Sequence, residues 1–208
     1  MRTLSLLLMP VVMFLTTQAH ASTHLDRMQA FYRKLGPFET TFTSTPHDPL
    51  QGAGNSEKGR VLVGSEGRFR LTYRTPEYKD FIYDGKQVFF YEPEASQVTI
   101  TESLEGSDLA VIIRLLSGKS VDLAQFDIIS SGADEVQIAR KASAPKGGLH
   151  RAVLTISPQG ALKRASIMDP AGGRVDYVFG DVKAKPKLAN KVFDFKIPEG
   201  VEVQRVKL

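Results

Sequence analysis

Two periodicities divide the chain. Leu25, Met28, Phe31, Tyr32 and Leu35 recur at three- and four-residue spacing, which makes one apolar stripe of an amphipathic helix. Thr23 is placed to cap its start, and Gly36-Pro37 to stop it. A second short helix is predicted over Asp108–Ser117, with Leu109, Ile112, Ile113 and Leu116 on one face, Ser107 at its start and Gly118 at its end. Nearly everything else alternates with period two. In Arg68–Arg74, Phe69, Leu71 and Tyr73 share one face. Arg68, Arg70, Thr72 and Arg74 share the other, which reads as the polar side, where Arg70→Glu is expected to be mild. Phe81–Tyr83 and Val88–Tyr91 flank Asp84-Gly85, a hairpin signal because both turn positions favour positive φ. Strands are further predicted at Gln97–Thr101, Phe126–Ser130, Glu135–Ala139, His150–Ile156, Leu162–Asp169, Arg174–Phe179 and Val192–Ile197. Short strands joined by tight turns predict a mainly β protein with short helices, built on one strongly curved antiparallel sheet. Ser44–Ser56, rich in Gly and Pro, reads as the one long irregular loop.

The first residues read as an address. Arg2 is followed by the apolar run Leu4–Leu15 and then by Ala19-His20-Ala21, a small-residue cleavage signal. The apolar run is too short to span a bilayer. The expected organisation is a signal peptide over 1–21, removed on export, and a single soluble domain over 22–208 in the periplasm.

Composition narrows the chemistry. The 208 residues are 42% hydrophobic and 24% charged, an ordinary globular balance. The absence of Cys removes disulfides, thiolate metal sites, cysteine nucleophiles and any lipid anchor on cysteine. The net charge of +4 is modest, and no basic cluster interleaves with aromatics on a nucleic-acid module, so no nucleic-acid partner is expected. Ser117-Gly118-Lys119-Ser120 resembles the end of a phosphate loop, but Ile113 stands where the opening glycine belongs. Ser143-Ala144-Pro145-Lys146 fits S-x-x-K, yet it lies in a Pro/Gly loop without its partner motifs. His24, His47 and His150 show no metal-ligand spacing. No catalytic residue, metal or cofactor is nominated.

Aromatic residues are in surplus instead, with 12 Phe and 6 Tyr concentrated between Phe69 and Tyr91 and again between Tyr177 and Phe195. Two short helices cannot cover one face of some ten strands. Part of that apolar face therefore needs another occupant, and a lipid is a natural one.

Several runs, taken in order, resemble the LolA family of periplasmic outer-membrane lipoprotein carriers. They are Gly59-Arg60-Val61-Leu62-Val63, then Phe69-Arg70-Leu71-Thr72-Tyr73-Arg74-Thr75-Pro76, then Asp84-Gly85-Lys86-Gln87-Val88-Phe89-Phe90-Tyr91, and the closing Phe193-Asp194-Phe195-Lys196-Ile197-Pro198-Glu199-Gly200-Val201. The resemblance covers essentially the whole chain after residue 21. It implies an unclosed antiparallel half-barrel lidded by helices, with a hydrophobic cavity between them. Phe69, Leu71, Tyr73, Phe81, Tyr83, Phe90 and Ile100 would line the cavity. Leu25, Met28, Phe31 and Leu35, with Leu109, Ile112, Ile113 and Leu116, would form the lid. The implied partners of such a monomeric carrier are acylated lipoproteins, the inner-membrane LolCDE transporter and an outer-membrane LolB-like receptor. Two departures stand out: Leu71 replaces a frequent tryptophan, and Ser65-Glu66 stands where many members have the Arg-Pro whose arginine latches the lid. A lipid- or glycolipid-binding envelope sensor of the same fold is the alternative, and a periplasmic hydrolase a remoter one. A carrier has a physical rationale. Three acyl chains hold on the order of 45 methylenes, and at about 0.8 kcal/mol each their exposure to water costs roughly 36 kcal/mol.

Overall fold

The computed structural model describes residues 16–102, 112, 113, 115–117, 125–144 and 149–206. The helix α1 spans Thr16–Leu35, longer than the stripe predicted. Thr23 lies inside it rather than at its cap, because nothing in the preceding Ala- and Thr-containing stretch breaks a helix. It ends as expected: Gly36 takes φ +69°, and its N–H donates to the Tyr32 carbonyl at 3.2 Å.

The strands are β1 (Phe38–Asp48), β2 (Gly52–Ala53), β3 (Glu57–Val63), β4 (Phe69–Thr75), β5 (Lys79–Tyr83), β6 (Val88–Glu92) and β7 (Gln97–Thr101). They continue as β8 (Phe126–Ser131), β9 (Glu135–Arg140), β10 (Arg151–Ile156), β11 (Leu162–Met168), β12 (Arg174–Phe179), β13 (Lys183–Ala184) and β14 (Glu202–Val206). All belong to one sheet of order β14-β7-β6-β5-β4-β3-β1-β12-β11-β10-β9-β8, with the short β2 and β13 paired to β1. Its two ends do not pair, so the sheet is unclosed. Every pairing is antiparallel except β14 on β7.

Two expectations fail here. The loop predicted at Ser44–Ser56 is strand as far as Asp48, because β12 pairs with β1 up to His47, β2 pairs with His47 and Asp48, and Pro46 sits opposite Val175. The strand predicted at Val192–Ile197 does not form. Asn190–Phe193 is a 3₁₀ turn, and the chain after it is irregular until β14. Its aromatic residues fill separate slots instead. Phe193 is fully buried against Gly64, where any Cβ would strike its ring, and Phe195 packs between Phe89 and Tyr91.

The register sorts the side chains into two faces. The inner face carries Phe38, Phe42, Val61, Val63, Phe69, Leu71 and Tyr73, and it forms one buried cluster with Leu25, Met28 and Tyr32 of α1. Residues 112, 113, 115 and 116 are helical, and Ile112, Ile113, Leu115 and Leu116 are buried in the same cluster. Leu109 and the predicted caps at Ser107 and Gly118 fall outside the described residues. The outer face of β4–β7 is not solvent. The segment from β13 to β14 crosses it, the Arg70 guanidinium donates to the Val192 carbonyl at 3.2 Å, and Phe195 and Val201 close over Ile82, Phe89, Val98 and Ile100.

Candidate ligand-binding face

The inner face is organised by aromatic residues that meet across strands. Tyr177 of β12 lies 6.2 Å from Phe42 of β1, and Phe42 meets Tyr73 of β4 edge-on at 4.9 Å. Tyr73 contacts Phe81 of β5 at 6.0 Å, and Phe81 stacks on Phe90 of β6 at 4.2 Å. Such pairs contribute beyond the area they bury. One position makes the run continuous. Phe42 and Tyr73 flank β3 at Gly59, which has no side chain, and a Cβ there would stand 2.7 Å from the Phe42 ring. The rings therefore meet above the intervening strand. A second pair, Phe69 and Tyr83, stacks at 5.9 Å nearer the other end of β4.

Burial is greatest at the centre of this run. Phe42 and Tyr73 are buried, whereas Tyr177 at one end and Phe81 and Phe90 at the other are half-buried, as is Tyr83. Burial pushes the Tyr73 phenol well above its ordinary range, and the neighbouring Tyr177 adds to the rise. Tyr32 is raised for the same first reason, with the Leu162 N–H that donates to it acting the other way. Both phenols are thus neutral, and the lining carries no charge from them.

Six of the seven lining residues predicted from the sequence share this face: Phe69, Leu71, Tyr73, Phe81, Tyr83 and Phe90. Ile100 does not. Its partner Phe89 pairs with Ile82, so the three point outward and pack under the C-terminal segment. The sequence does not single out Phe42, Gly59 and Tyr177, although the Phe38/Phe42 and Tyr177/Phe179 alternations carry the signal.

The covering elements differ in how they are held. Leu25 and Met28 are buried, Phe31 and Leu35 partly so, and all are apolar contacts. However, α1 is also pinned by directional contacts. The Leu162 N–H donates to the Tyr32 hydroxyl at 3.1 Å, and Gly160 lets the turn before β11 lie against the Arg27 carbonyl and Phe31. Glu66 has φ +60°, is largely exposed and pairs with Arg68 at 3.4 Å.

His24, His47 and His150 lie apart from one another. His47 Nε2 lies 2.9 Å from Asp176, His24 is buried beside Ser131 on β8, and His150 is exposed. Among the described residues no three His, Asp or Glu side chains group as a metal site. No described helix is long and apolar enough to cross a membrane.

An unclosed antiparallel sheet with an aromatic inner face, covered by a helix and braced from behind by its own C-terminal segment, is a half-barrel of the lipoprotein-carrier type. The chain belongs to the LolA family: the family model described as "Outer membrane lipoprotein carrier protein LolA" matches residues 33–196. It is 26% identical over 190 residues to an outer-membrane lipoprotein carrier protein of Aliivibrio salmonicida, covering 91% of this chain and 93% of that protein. It is 27% identical over 184 residues to the carrier of that name from Nitrosomonas europaea, covering 86% and 87%. A crystal structure of an uncharacterised conserved protein from Thermus thermophilus shares the fold, with TM-score 0.55 and 14% identity over 89% of this chain and 99% of that one.

Proposed function

We propose that this protein is a non-catalytic periplasmic carrier that shelters the acyl chains of lipoproteins against its inner face. The observation that supports this most is the aromatic run from Tyr177 to Phe90, which is covered at its centre, at Phe42 and Tyr73, and half-covered from Phe81 to Phe90 along one sheet face. Acyl chains entering at Phe81, Tyr83 and Phe90 meet rings already partly freed of protein neighbours. They can then replace Ile112, Ile113, Leu115 and Leu116, whose contacts are apolar and non-directional. Exchanging one apolar partner for another costs only the difference between them. The hydrogen bond at Tyr32 makes α1 the fixed wall and the helical residues 112, 113, 115 and 116 the part that yields. Phe69, Leu71 and Tyr73 form the floor throughout.

On this reading the chain is exported and cut after Ala21, within the helix of the uncut form, leaving Ser22 and Thr23 to begin α1. It takes lipoproteins from LolCDE in the inner membrane and passes them as a monomer to a LolB-like receptor. The test is mass spectrometry of species that copurify from the periplasm. Wild-type protein carries triacylated lipoprotein, and Phe81→Glu, which sets a carboxylate at the half-open end, carries none. Equal loading of the two proteins contradicts the proposal.

A further inference from the structure

On the outer face, directly behind the strands that carry Phe42 and Gly59, lies a second concavity. It is a groove of about 630 Å³ over β1, β3, β4 and β12, lined by Glu39, Thr41, Thr43, Lys58, Arg60 and Arg74, among others. Its origin is local. Gly180 faces the groove without a side chain, and a Cβ there would collide with the Thr41 hydroxyl. At the opposite wall Lys58 pairs with Thr75 while Gly59 pairs with Tyr73, so Arg74 is the extra residue of a bulge. Bulges re-aim side chains, and this one adds a cation to the wall.

Three cations converge there without partners. The side chains of Lys58, Arg60 and Arg74 make no hydrogen bond or ion pair with any described residue, and the buried Nε of Arg60 is unsatisfied. The one acid, Glu39, is engaged by Lys185 at 3.4 Å. The register extends the row: Lys58 lies opposite Thr43, Thr43 opposite Val178, and Val178 opposite the exposed Arg164 of β11. Like charges on neighbouring strands repel, and an unpaired buried donor is costly, so the arrangement works against the fold unless an anion occupies it.

We infer that this groove docks an extended acidic peptide segment of a partner protein. From β11 to β4 the row crosses five strands, about 19 Å at the usual strand spacing. That is the reach of about five or six extended residues. A recessed channel with threonine hydroxyls between its cations fits a single chain, whose carboxylates pair with the guanidinium forks. Because the groove lies behind the inner face, a partner held there leaves that face open. The inference stands whether or not the carrier reading does.

The test is fluorescence anisotropy of fluorescein-labelled hexaglutamate with the purified protein at low ionic strength. Hexaglutamine serves as the uncharged control, and phosphatidylglycerol vesicles as the competing surface. Saturable binding of hexaglutamate alone is expected. Lys58→Gln/Arg74→Gln, at two exposed positions that the fold does not need, weakens it about tenfold. Arg60→Gln weakens it further, whereas Arg33→Gln on α1 leaves it unchanged. Absence of binding, binding that the double variant retains, or vesicle binding with the same residue dependence would each overturn the inference.

Discussion

The two faces of β4, β5 and β6 are made by the same stretch of backbone, with side chains alternating between them, yet are held by opposite physics. On the inner face Phe69, Leu71 and Phe81 make contacts that have no direction, and any apolar partner can replace another. On the outer face a buried Asp80 accepts hydrogen bonds from the Thr72 hydroxyl at 2.6 Å, from Tyr78 at 2.9 Å and from the Arg70 guanidinium at 2.5 Å. Arg70 reaches on to the Val192 carbonyl, which fastens the C-terminal segment over the apolar nook beneath it. Directional bonds fix one face and leave the other to exchange its partners. A sheet that must open to apolar cargo has to be secured from the side that cargo does not touch.

The largest expected effect breaks the secured face. Arg70→Glu leaves the fully buried Asp80 without its cation and adds a like charge; the cost is about 3 kcal/mol, reduced from a fully buried pair because Arg70 is partly exposed. This replaces the mild effect expected of an Arg70 on a solvated face. Urea denaturation checks it, with Ile129→Glu, an exposed position on β8, as the variant that should change little. Next comes Gly59→Ala, whose Cβ would meet the Thr72 carbonyl oxygen as well as the Phe42 ring, so that backbone and ring must both shift, at a cost of about 2 kcal/mol by overpacking. Its near-ultraviolet circular dichroism should also lose intensity, because Phe42 and Tyr73 no longer meet.

Smaller effects concern the fixed wall. Tyr32→Phe removes one hydrogen bond to the Leu162 N–H and costs about 1 kcal/mol. Its sharper signature is in alkali. Tyr32 and Tyr73 have folded pKa values raised above the unfolded value of 10.0, so the neutral phenols stabilise the fold. That contribution is complete below about pH 10 and is lost as pH rises above it. Denaturant midpoints measured from about pH 9 to about pH 11.5 should fall more gently for Tyr32→Phe than for wild type. Identical slopes would mean that this phenol is not held neutral by the fold.

The sheet was readable because alternation with turn residues marks nearly every strand from Phe69 to Phe179. Which face points inward was less readable. In β5–β7 both faces are apolar, with Phe81 and Phe90 on one and Ile82, Phe89 and Ile100 on the other, so parity alone could not place Ile100. Strand β14 escaped because its residues are all exposed and it rests on β7 by backbone pairing. Val192–Ile197 mimicked a strand because Phe193 and Phe195 alternate, although each fills a slot made by residues far away in sequence. The role of Gly59 is similarly non-local. It depends on Phe42 and Tyr73 arriving from the strands on either side.

The central claim is that cargo meets the inner face and never the outer one. Its most direct test places a photo-crosslinking benzoylphenylalanine at Phe81 or at Phe89, residues of adjacent strands on opposite faces. Each protein is exposed to lipoprotein bearing radiolabelled palmitate. The account predicts label crosslinked at position 81 and none at position 89. Label at position 89, or equal label at both, would contradict it.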